Sequence, residues 1–351
     1  MEKTKITKKD IYLAILAGFL LLVIVFAMIF WPTGREEINK KRIYGFFDTE
    51  IVVYDYTGSG EAKFNKTVGQ LRELFGYYHA LFDIYNSHSG VVNAYDINAA
   101  AGGEPLTVER EMIDFLKYAK EVYAKTGGEV NVAMGAVLSL WHDVREATKK
   151  NPEVSIPSKE VLSEAAKHCS IDCLEIDEEK GTVRLTDPDA SLDLGALGKG
   201  YAAERAAELL YGMGISSGWA LDVGGTLRVI GNTPSGEPWQ AGIKNPDKTS
   251  SVRTIYTFSL RDASSATSGD YERYFVKDGV KYHHIIDKDT LLPPSYFASV
   301  TVIVRDAALA DALSTALFCM SYEEGRSLIA SVDGARCVWV THDGEILKFG
   351  E

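Results

Sequence analysis

The sequence contains few cysteines, and their placement excludes several kinds of site. Only 4 of the 351 residues are Cys, and none precedes Cys169, which excludes lipid attachment at a processed N-terminal Cys. The CSIDC segment has no second Cys/His pair at a zinc-like distance, so we do not expect thiolates to bind a metal. The four Cys could form two disulfides, with Cys169 and Cys173 as the nearest pair, or they could be buried thiols.

Internal repeats and low-complexity tracts are also absent, and acidic residues outnumber basic ones. The formal net charge is −12; the first 42 residues carry eight Lys or Arg against four Asp or Glu, which leaves −16 for the remainder. An acidic body of this kind is a poor binder of nucleic acid. With 46% hydrophobic and 11% aromatic residues, the chain can nevertheless build a substantial core.

One long apolar run lies near the N-terminus. Residues 11–31 carry no charge, and as a helix, at roughly 1.5 Å per residue, they would span about 30 Å of hydrocarbon. Lysines precede the run, so the positive-inside rule keeps residues 1–10 in the cytoplasm. A cleaved signal peptide is the alternative, but the run exceeds the usual length of roughly 7–15 residues and no A-x-A site follows it.

We therefore expect a single-pass membrane anchor at residues 11–31, a linker at 32–43 and an extracytoplasmic domain at 44–351. Hydrophobic periodicity in that domain predicts an α+β fold with mixed, largely antiparallel sheets and packed helices. Gly residues at 279 and 344 predict two hairpin turns. Helices are expected near residues 68–85, 108–125, 158–169 and 306–320 and from 322, and strands at 43–56, 173–177, 182–185, 190–194, 218–223, 226–231, 253–260 and 270–276.

The glycine-rich segment DLGALGKGYAAER, residues 193–205, is the most informative stretch. Its glycines would let the backbone approach a ligand closely, and a helix starting near Gly200 would direct free N–H groups at an anion. The segment lacks the GxxxxGK[ST] spacing of a Walker loop, and such a turn can be purely structural. A second glycine pair, in DVGGT at 222–226, indicates either a β-bulge, the commoner case, or a close ligand.

Asp311 and Thr315, in DALSTAL, lie four residues apart and would share one helix face. Their carboxylate and hydroxyl are hard oxygen ligands of the kind that Mg²⁺ prefers. A pair at this spacing is more often a solvated face or a cap. Here most neighbouring residues are apolar, which favours a specific role for Asp311.

His283 and His284 form a second candidate, in KYHHIID. If they lie in a strand their side chains point in opposite directions, so only one imidazole can face a given site. A His near a carboxylate is a candidate general base, although a hydrogen-bonded structural His is the commoner case. Between the two candidates, residues 263–275 supply small hydroxyl side chains and then Arg273 for anions, or else form a loop leading into an edge strand.

Taken in order, DLGALGKGYAAER, DVGGT, SGDYERYF, HHIID and DALSTAL resemble the motif series of the ApbE family, the FAD:protein FMN transferases. The resemblance extends from about Tyr44 to the C-terminus. It implies a Mg²⁺-dependent transferase that splits FAD at its pyrophosphate, esterifies FMN to a Thr or Ser hydroxyl of an acceptor protein and releases AMP. The implied acceptor is a subunit of a membrane redox complex.

The resemblance also implies a role for individual residues. His284 would be the catalytic base. Mg²⁺ would be held by Asp311, Ser314, Thr315 and the backbone carbonyl of Ala196. FAD would be bound by Phe47, Tyr85, Glu129, Val130, Asn131, Asp193, Lys199 and Ile285.

Several positions depart from the family pattern. Residues 287–291 read DKDTL where the family has DPxTG, and Asp48 stands where Gly is common. Asn131 replaces an Asp and Thr226 an Asn. These changes affect the adenosine side of the expected site more than its metal ligands. Two other functions remain open from the residues: a Mg²⁺-dependent FAD pyrophosphatase that releases FMN and AMP, and an FAD-binding module without turnover.

Overall fold

A mixed α+β fold with antiparallel sheets forms over residues 38–350, the part of the chain that this computed structural model describes. Residues from Ile38 onward form one compact unit. The predicted cytoplasmic segment, membrane anchor and first part of the linker lie outside the described residues. Within residues 38–350, no helix combines the length and apolarity that crossing a membrane requires.

The centre of the fold is an eight-stranded antiparallel sheet. Its strands are Asn39–Phe46 (β1), Thr49–Asp55 (β2), Trp219–Val223 (β6), Thr226–Ile230 (β7), Ser264–Gly269 (β10), Ser299–Val304 (β13), Arg336–Val340 (β14) and Ile346–Phe349 (β15), in the spatial order β1-β2-β6-β7-β10-β13-β14-β15. Three smaller antiparallel sheets surround it. They are Leu106–Thr107 (β3) with Thr182–Leu185 (β5) and Leu174–Asp177 (β4); Trp239–Lys244 (β8) with Thr254–Leu260 (β9); and Tyr274–Lys277 (β11) with Val280–His283 (β12).

Four of the eight helices within residues 38–350 begin at a residue whose side chain caps them. Asp306 caps the helix after β13 by accepting a hydrogen bond from Leu309 N at 2.8 Å, and Ser321 and Glu324 form a capping box at the next helix. The helices are Glu61–Phe82 (α1), Ala94–Ala99 (α2), Arg110–Lys125 (α3), Gly135–Thr148 (α4), Lys159–Ala166 (α5), Gly198–Gly212 (α6), Ala307–Cys319 (α7) and Tyr322–Ala330 (α8). The five helices expected from periodicity are confirmed, whereas α2 and α4 were not expected.

The central sheet is covered on both faces. Trp219 and Leu221 of β6 pack into the core that contains α1 and α6. Ala220, between them, points to the other face and joins a cluster with Trp239 and Phe258 of the β8–β9 hairpin. The alternation along β6 therefore places the helices on one face of the sheet and this hairpin on the other.

Three sequence-based expectations about strands were wrong. Residues 190–194 form no strand, because their backbone is held by a side chain instead: Asn98 donates to Leu192 O at 3.0 Å and accepts from Leu192 N at 2.7 Å. The single strand expected at 43–56 is a hairpin, since Phe47 and Asp48 both adopt φ 53° and reverse the chain. The alternative that residues 263–275 are a loop leading into an edge strand is wrong for 264–269, which form the central strand β10.

One boundary and one turn also differ from expectation. β1 begins at Asn39, inside the predicted linker. The glycine pair of DVGGT forms a two-residue hairpin turn and not a bulge, because Val223 pairs with Thr226 and both glycines have positive φ, 59° and 96°.

The four Cys are free thiols, and three of them are buried. Of the two alternatives for the cysteines, free thiols and not disulfides are therefore correct.

Candidate functional site

Two helices that are distant in sequence meet at Gly200 and Asp311. The N–H of Gly200, in the first turn of α6, donates to Asp311 Oδ2 on α7 at 2.9 Å. A Cβ atom on Gly200 would lie 2.5 Å from Asp311 Cβ and 2.6 Å from Ala307 O. Because no real Cβ atom approaches so closely, the absence of a side chain at position 200 is what allows this contact.

Oxygen atoms converge around Asp311. The Oγ atoms of Ser268 and Ser314 lie 2.9 Å apart, and Thr315 Oγ1 lies 3.3 Å from Ser268 Oγ. Lys199 Nζ lies 3.4 Å from Asp311 Oδ2 and 3.3 Å from Gly195 O, at the start of the glycine-rich turn. The Asp311 carboxylate is only 7% exposed, so the cluster brings a nearly buried anion, three hydroxyls and one cation together.

The expected site residues surround one cavity. It has a volume of about 1200 Å³, larger than the roughly 300–1,000 Å³ of ordinary small-molecule sites. Every residue to which the sequence assigned a role lines it except Ser314, whose Oγ lies 2.9 Å from the Oγ of the lining residue Ser268. The lining residues among them are Phe47, Tyr85, Glu129, Val130, Asn131, Asp193, Ala196, Lys199, His284, Ile285, Asp311 and Thr315.

His284 follows the end of β12 and is partly buried. Burial, with Arg273, Lys199 and Arg145 nearby, lowers its pKa to about 3. Its Nδ1 atom is buried and has no hydrogen-bond partner among the described residues. The imidazole is therefore neutral at physiological pH, the form that accepts a proton.

His283 has a different environment. Its Nε2 lies 2.9 Å from Pro294 O and its ring packs edge-on against Phe318, 5.4 Å between centroids. A carbonyl oxygen accepts, so Nε2 is the protonated nitrogen of that ring. The His283 ring therefore has a structural role, because it is held by Pro294 and Phe318. Of the two imidazoles, His284 is the better candidate for the catalytic base.

A polar chain beside Tyr85 was missed by the sequence analysis. Tyr85 OH lies 3.2 Å from His142 Nδ1, and an Arg145 N–H donates to the same nitrogen at 3.0 Å. Burial, together with the charge of Asp193, raises the pKa of Tyr85 to about 12. His142 and Arg145 belong to α4, which carries no motif, so only their position in the cavity identifies them.

Asn131 and Asp193 use their side chains to shape the backbone. Asn131 Oδ1 accepts from Ala133 N at 2.9 Å, and its amide donates to Cys169 O at 2.8 Å. Asp193 Oδ1 accepts from Gly195 N at 2.8 Å. The replacement of the family's Asp by Asn131 is therefore accommodated, because the amide group satisfies both a donor and an acceptor.

The unusual DKDTL loop is ordered by its own contacts. Asp287 Oδ1 accepts from the N–H groups of Asp289 and Thr290, at 3.0 and 2.6 Å. Lys288, where the family has Pro, lies 3.3 Å from Glu129 Oε1, and this charge opposes the rise in the pKa of Glu129 that burial causes. Leu291, where the family has Gly, adopts φ 60°, in the left-handed region that Gly favours.

Among residues 38–350, His168, Asp187 and Asp189 are the one group of three His, Cys, Asp or Glu side chains whose ligand atoms all lie within 4.8 Å of one another. His168 Nδ1 lies 2.8 Å from Asp187 Oδ2, and this contact raises the pKa of His168. None of the three residues lines the cavity. The cluster is accounted for by an ion pair at the surface.

Comparison with known proteins gives matches over most of the chain. Residues 48–339 match the model of the ApbE family. The chain is 32% identical to the FAD:protein FMN transferase of Treponema pallidum over 71% of each chain, and 30% identical to one from Klebsiella pneumoniae over 90% of this chain and 87% of that protein. The crystal structure of the ApbE protein of Thermotoga maritima superposes with a TM-score of 0.77 and 29% identity, covering 89% of this chain and 97% of that one.

Proposed function

The chain belongs to the ApbE family, and from that premise we propose that it is an FAD:protein FMN transferase that depends on Mg²⁺. The acceptor is a Thr or Ser hydroxyl of another protein, and AMP is the leaving group. In the balanced step, the acceptor oxygen bonds to the FMN phosphorus and the bond from that phosphorus to the bridging oxygen breaks. AMP leaves with the bridging oxygen, and the acceptor proton goes to His284.

One observation carries this proposal: the glycine-rich turn and the late helix α7 form one wall of a single cavity. The contact between Gly200 N and Asp311 Oδ2 joins them directly, at 2.9 Å. Residues assigned to flavin binding and to proton transfer line the same cavity. A dinucleotide could therefore contact all of these groups at once.

The donor set around Asp311 fits Mg²⁺. One carboxylate and the hydroxyls of Ser314 and Thr315, which lie 2.9 and 3.3 Å from Asp311 O, are all oxygen ligands, which this hard cation prefers, and Ala196 lines the same cavity. When bound, Mg²⁺ supplies positive charge to the pyrophosphate oxygens and so stabilises the developing negative charge. The chain contributes cations of its own, Lys199, Arg145 and Arg273, which line the cavity.

The state of His284 suits a proton acceptor. Its neutral ring can take the hydroxyl proton, and the same cations that lower its pKa would be partly neutralised by a bound pyrophosphate. The substrate would thus raise the basicity of the group that it needs.

The location and partners of the enzyme also belong to this proposal. The uncharged residues 11–31, preceded by lysines, support a membrane anchor with the catalytic domain outside the cytoplasm. A membrane-tethered transferase suits an acceptor that is a subunit of a membrane redox complex.

Intact-mass spectrometry tests the proposal directly. The full-length chain in detergent is incubated with FAD, Mg²⁺ and a purified Thr-containing domain of a membrane redox subunit. We expect the domain to gain the mass of FMN in an ester linkage, with one AMP released per adduct. Release of AMP without an adduct would instead indicate an FAD pyrophosphatase, and bound FAD without AMP would indicate a binding module; either result contradicts the proposal.

A further inference from the structure

Strand β10 has an open edge inside the cavity. β7 pairs only with Ser264–Ala266 of β10, because the chain turns back at Gly224 and Gly225. On its other side, β10 pairs with β13 along its full length, Ser264–Gly269. The three residues beyond the end of β7, at positions 267–269, all line the cavity.

Two hydrogen bonds establish the direction of the backbone groups along β10. In an antiparallel strand, the N–H and C=O of one residue point to the same neighbour, and successive residues alternate. Val229 N donates to Ala263 O at 3.0 Å, so Ala263 faces the β7 side. Asp270 N donates to Ala298 O at 3.1 Å, so Asp270 faces the β13 side.

The alternation between these two points determines which groups face the open edge. Even-numbered residues, including Ser268, direct their backbone groups to β13. Thr267 and Gly269 direct theirs to the side where β7 has already ended. The cavity therefore contains N–H and C=O groups that are oriented as in a β-sheet but extend beyond the strand that would pair with them.

The glycine turn leaves this edge accessible, and the hydroxyl cluster of Ser268, Ser314 and Thr315 lies beside it. A Cβ atom on Gly225 would come within 3.9 Å of Thr267 O, so a larger residue there would project beside that oxygen. Ser268, between the two edge residues, places its Oγ 2.9 Å from Ser314 and 3.3 Å from Thr315. An extended chain along the edge would thus pass next to the expected metal ligands.

The cavity also extends beyond the residues assigned to FAD. Strands of the central sheet and of the β8–β9 hairpin contribute further lining residues, and we call this part of the lining the second arm: Val52, Asp222, Leu227, Ile243, Lys244 and Phe258. FAD alone does not account for this arm, since none of the expected flavin contacts lies in it. The acceptor hydroxyl is the one reactant that must still enter the cavity once FAD is bound.

We propose that the edge formed by Thr267 and Gly269 binds an extended segment of the acceptor protein as an added β-strand. The segment enters through the second arm and brings its Thr or Ser hydroxyl to the Ser268–Ser314–Thr315 cluster. This inference rests on the proposed transferase function. Backbone pairing supplies affinity that depends little on sequence, and the alternating side chains supply the choice of acceptor. The enzyme thus selects a hydroxyl in an extended segment and not one in a helix.

Amide hydrogen exchange at single-residue resolution tests the edge. The full-length enzyme with FAD is mixed with the acceptor domain labelled in the mass experiment above, carrying Val in place of the reactive Thr so that it docks without reacting. We expect the amides of Thr267 and Gly269 to exchange at least about 10-fold more slowly, and that of Ser268, already paired to β13, to change little. Unchanged exchange at both edge amides would overturn the inference.

A pair of variants at one position gives a second measurement. Thr267→Pro removes the edge N–H, whereas Thr267→Ala removes only the side chain and keeps the N–H. We expect the Pro variant to label the acceptor at least about 10-fold more slowly than the Ala variant, with FAD affinity equal between the two. Equal labelling by both variants would contradict strand addition.

The transferase proposal and the strand-addition inference fail on different results. If wild-type enzyme labels no acceptor, the transferase proposal fails and this inference fails with it. If wild-type enzyme labels the acceptor while the edge amides stay unprotected and the two Thr267 variants behave alike, only the strand-addition inference fails.

Discussion

At the scale of single residues, the site depends on two ionisable groups in unusual surroundings. Asp311 is a nearly buried carboxylate that is bonded through Oδ2 to Gly200 N and is close to Lys199. His284 is a partly buried imidazole with a strongly lowered pKa and a buried, unpartnered Nδ1. A group whose pKa is strongly perturbed, as that of His284 is, and that lies in a cavity is typical of functional sites.

Replacing Asp311 with Asn tests the metal site. The amide can still accept the hydrogen bond from Gly200 N, so the fold is retained, but the anionic ligand is lost. We expect Mg²⁺-dependent FMN transfer to fall at least about 100-fold, and a higher Mg²⁺ concentration for half-maximal rate. Steady-state rates across a Mg²⁺ titration measure both. A rate and Mg²⁺ dependence equal to wild type would rule out Asp311 as a ligand.

The pH profile tests His284. A group with a lowered pKa stays unprotonated as pH falls, and kcat/KM reports the free enzyme. We expect kcat/KM for FAD to show no loss governed by a pKa near 6.5 between pH 7.5 and 5, because the pKa of His284 is about 3. If the imidazole had its ordinary pKa, kcat/KM would fall about 30-fold over this interval. Such a loss, abolished in His284→Ala, would contradict the buried neutral state.

Leu291 provides a test of backbone strain. Its φ of 60° is unfavourable for a residue with a side chain, by roughly 1–2 kcal/mol. Leu291→Gly and Leu291→Ala both remove the packing of the side chain, but only Gly relieves the strain. We expect the Gly variant to have a free energy of unfolding about 1 kcal/mol higher than the Ala variant, the reverse of the order in ordinary backbone conformations. Denaturant unfolding measures the difference, and a more stable Ala variant would contradict it.

At the scale of elements, the crossing of α6 and α7 is the feature that assembles the site. Lys199 and the glycine-rich turn belong to one element, and Asp311, Ser314 and Thr315 belong to the other. Arg228 of β7 and the first turn of α7 share a partner on α6, because Glu204 Oε2 accepts from Arg228 Nε at 3.1 Å and from Ala307 N at 2.8 Å. These bonds hold α6 in register against both the sheet and α7.

A methyl group at position 200 should disrupt this crossing. In an isolated helix Gly→Ala is stabilising by about 1 kcal/mol, but here the new Cβ would overlap Asp311 and Ala307 O. We expect Gly200→Ala to lower the free energy of unfolding by about 1–3 kcal/mol and to reduce FMN transfer. Gly212→Ala, in the same helix with nothing within 4 Å of its Cβ, is the matched control and should be neutral or stabilising. If the Gly200→Ala and Gly212→Ala variants had equal free energies of unfolding, α6 and α7 would accommodate the methyl group without a loss of stability.

At the scale of the whole molecule, the cavity joins residues from Phe47 to Thr315, nearly the whole length of the folded domain. A ligand that contacts all of these elements binds the native state and not the unfolded chain. Binding should therefore stabilise the domain as a unit, by about 2.7 kcal/mol at a ligand concentration 100 times Kd.

Thermal unfolding tests this coupling between sites. We expect FAD and Mg²⁺ together to raise Tm by more than the sum of their separate effects, because the cation and the pyrophosphate occupy one cavity and attract each other. In Asp311→Asn the additional increase should disappear while that from FAD alone remains. Strictly additive shifts in the wild-type enzyme would argue against a shared site.

The sequence determined what depends on short-range interactions. Periodicity, caps and turn residues sufficed for helices such as α3 and α7 and for the hairpins at Gly279 and Gly344, and the chemical types at Asp311, Thr315 and His284 were recognised from their motifs. These features were predictable because each depends on residues within a few positions of one another.

Only the tertiary structure decided which of these groups meet. Packing between elements far apart in sequence produces the Gly200–Asp311 contact and the open edge of β10. It also places His142 and Arg145 of α4 in the cavity. The hairpin at Phe47 and Asp48 belongs here as well, since nothing local favours a positive φ at Phe47. Side-chain patterns report which face of an element is apolar, but neighbours, register and the place where a strand ends follow from how the elements pack together.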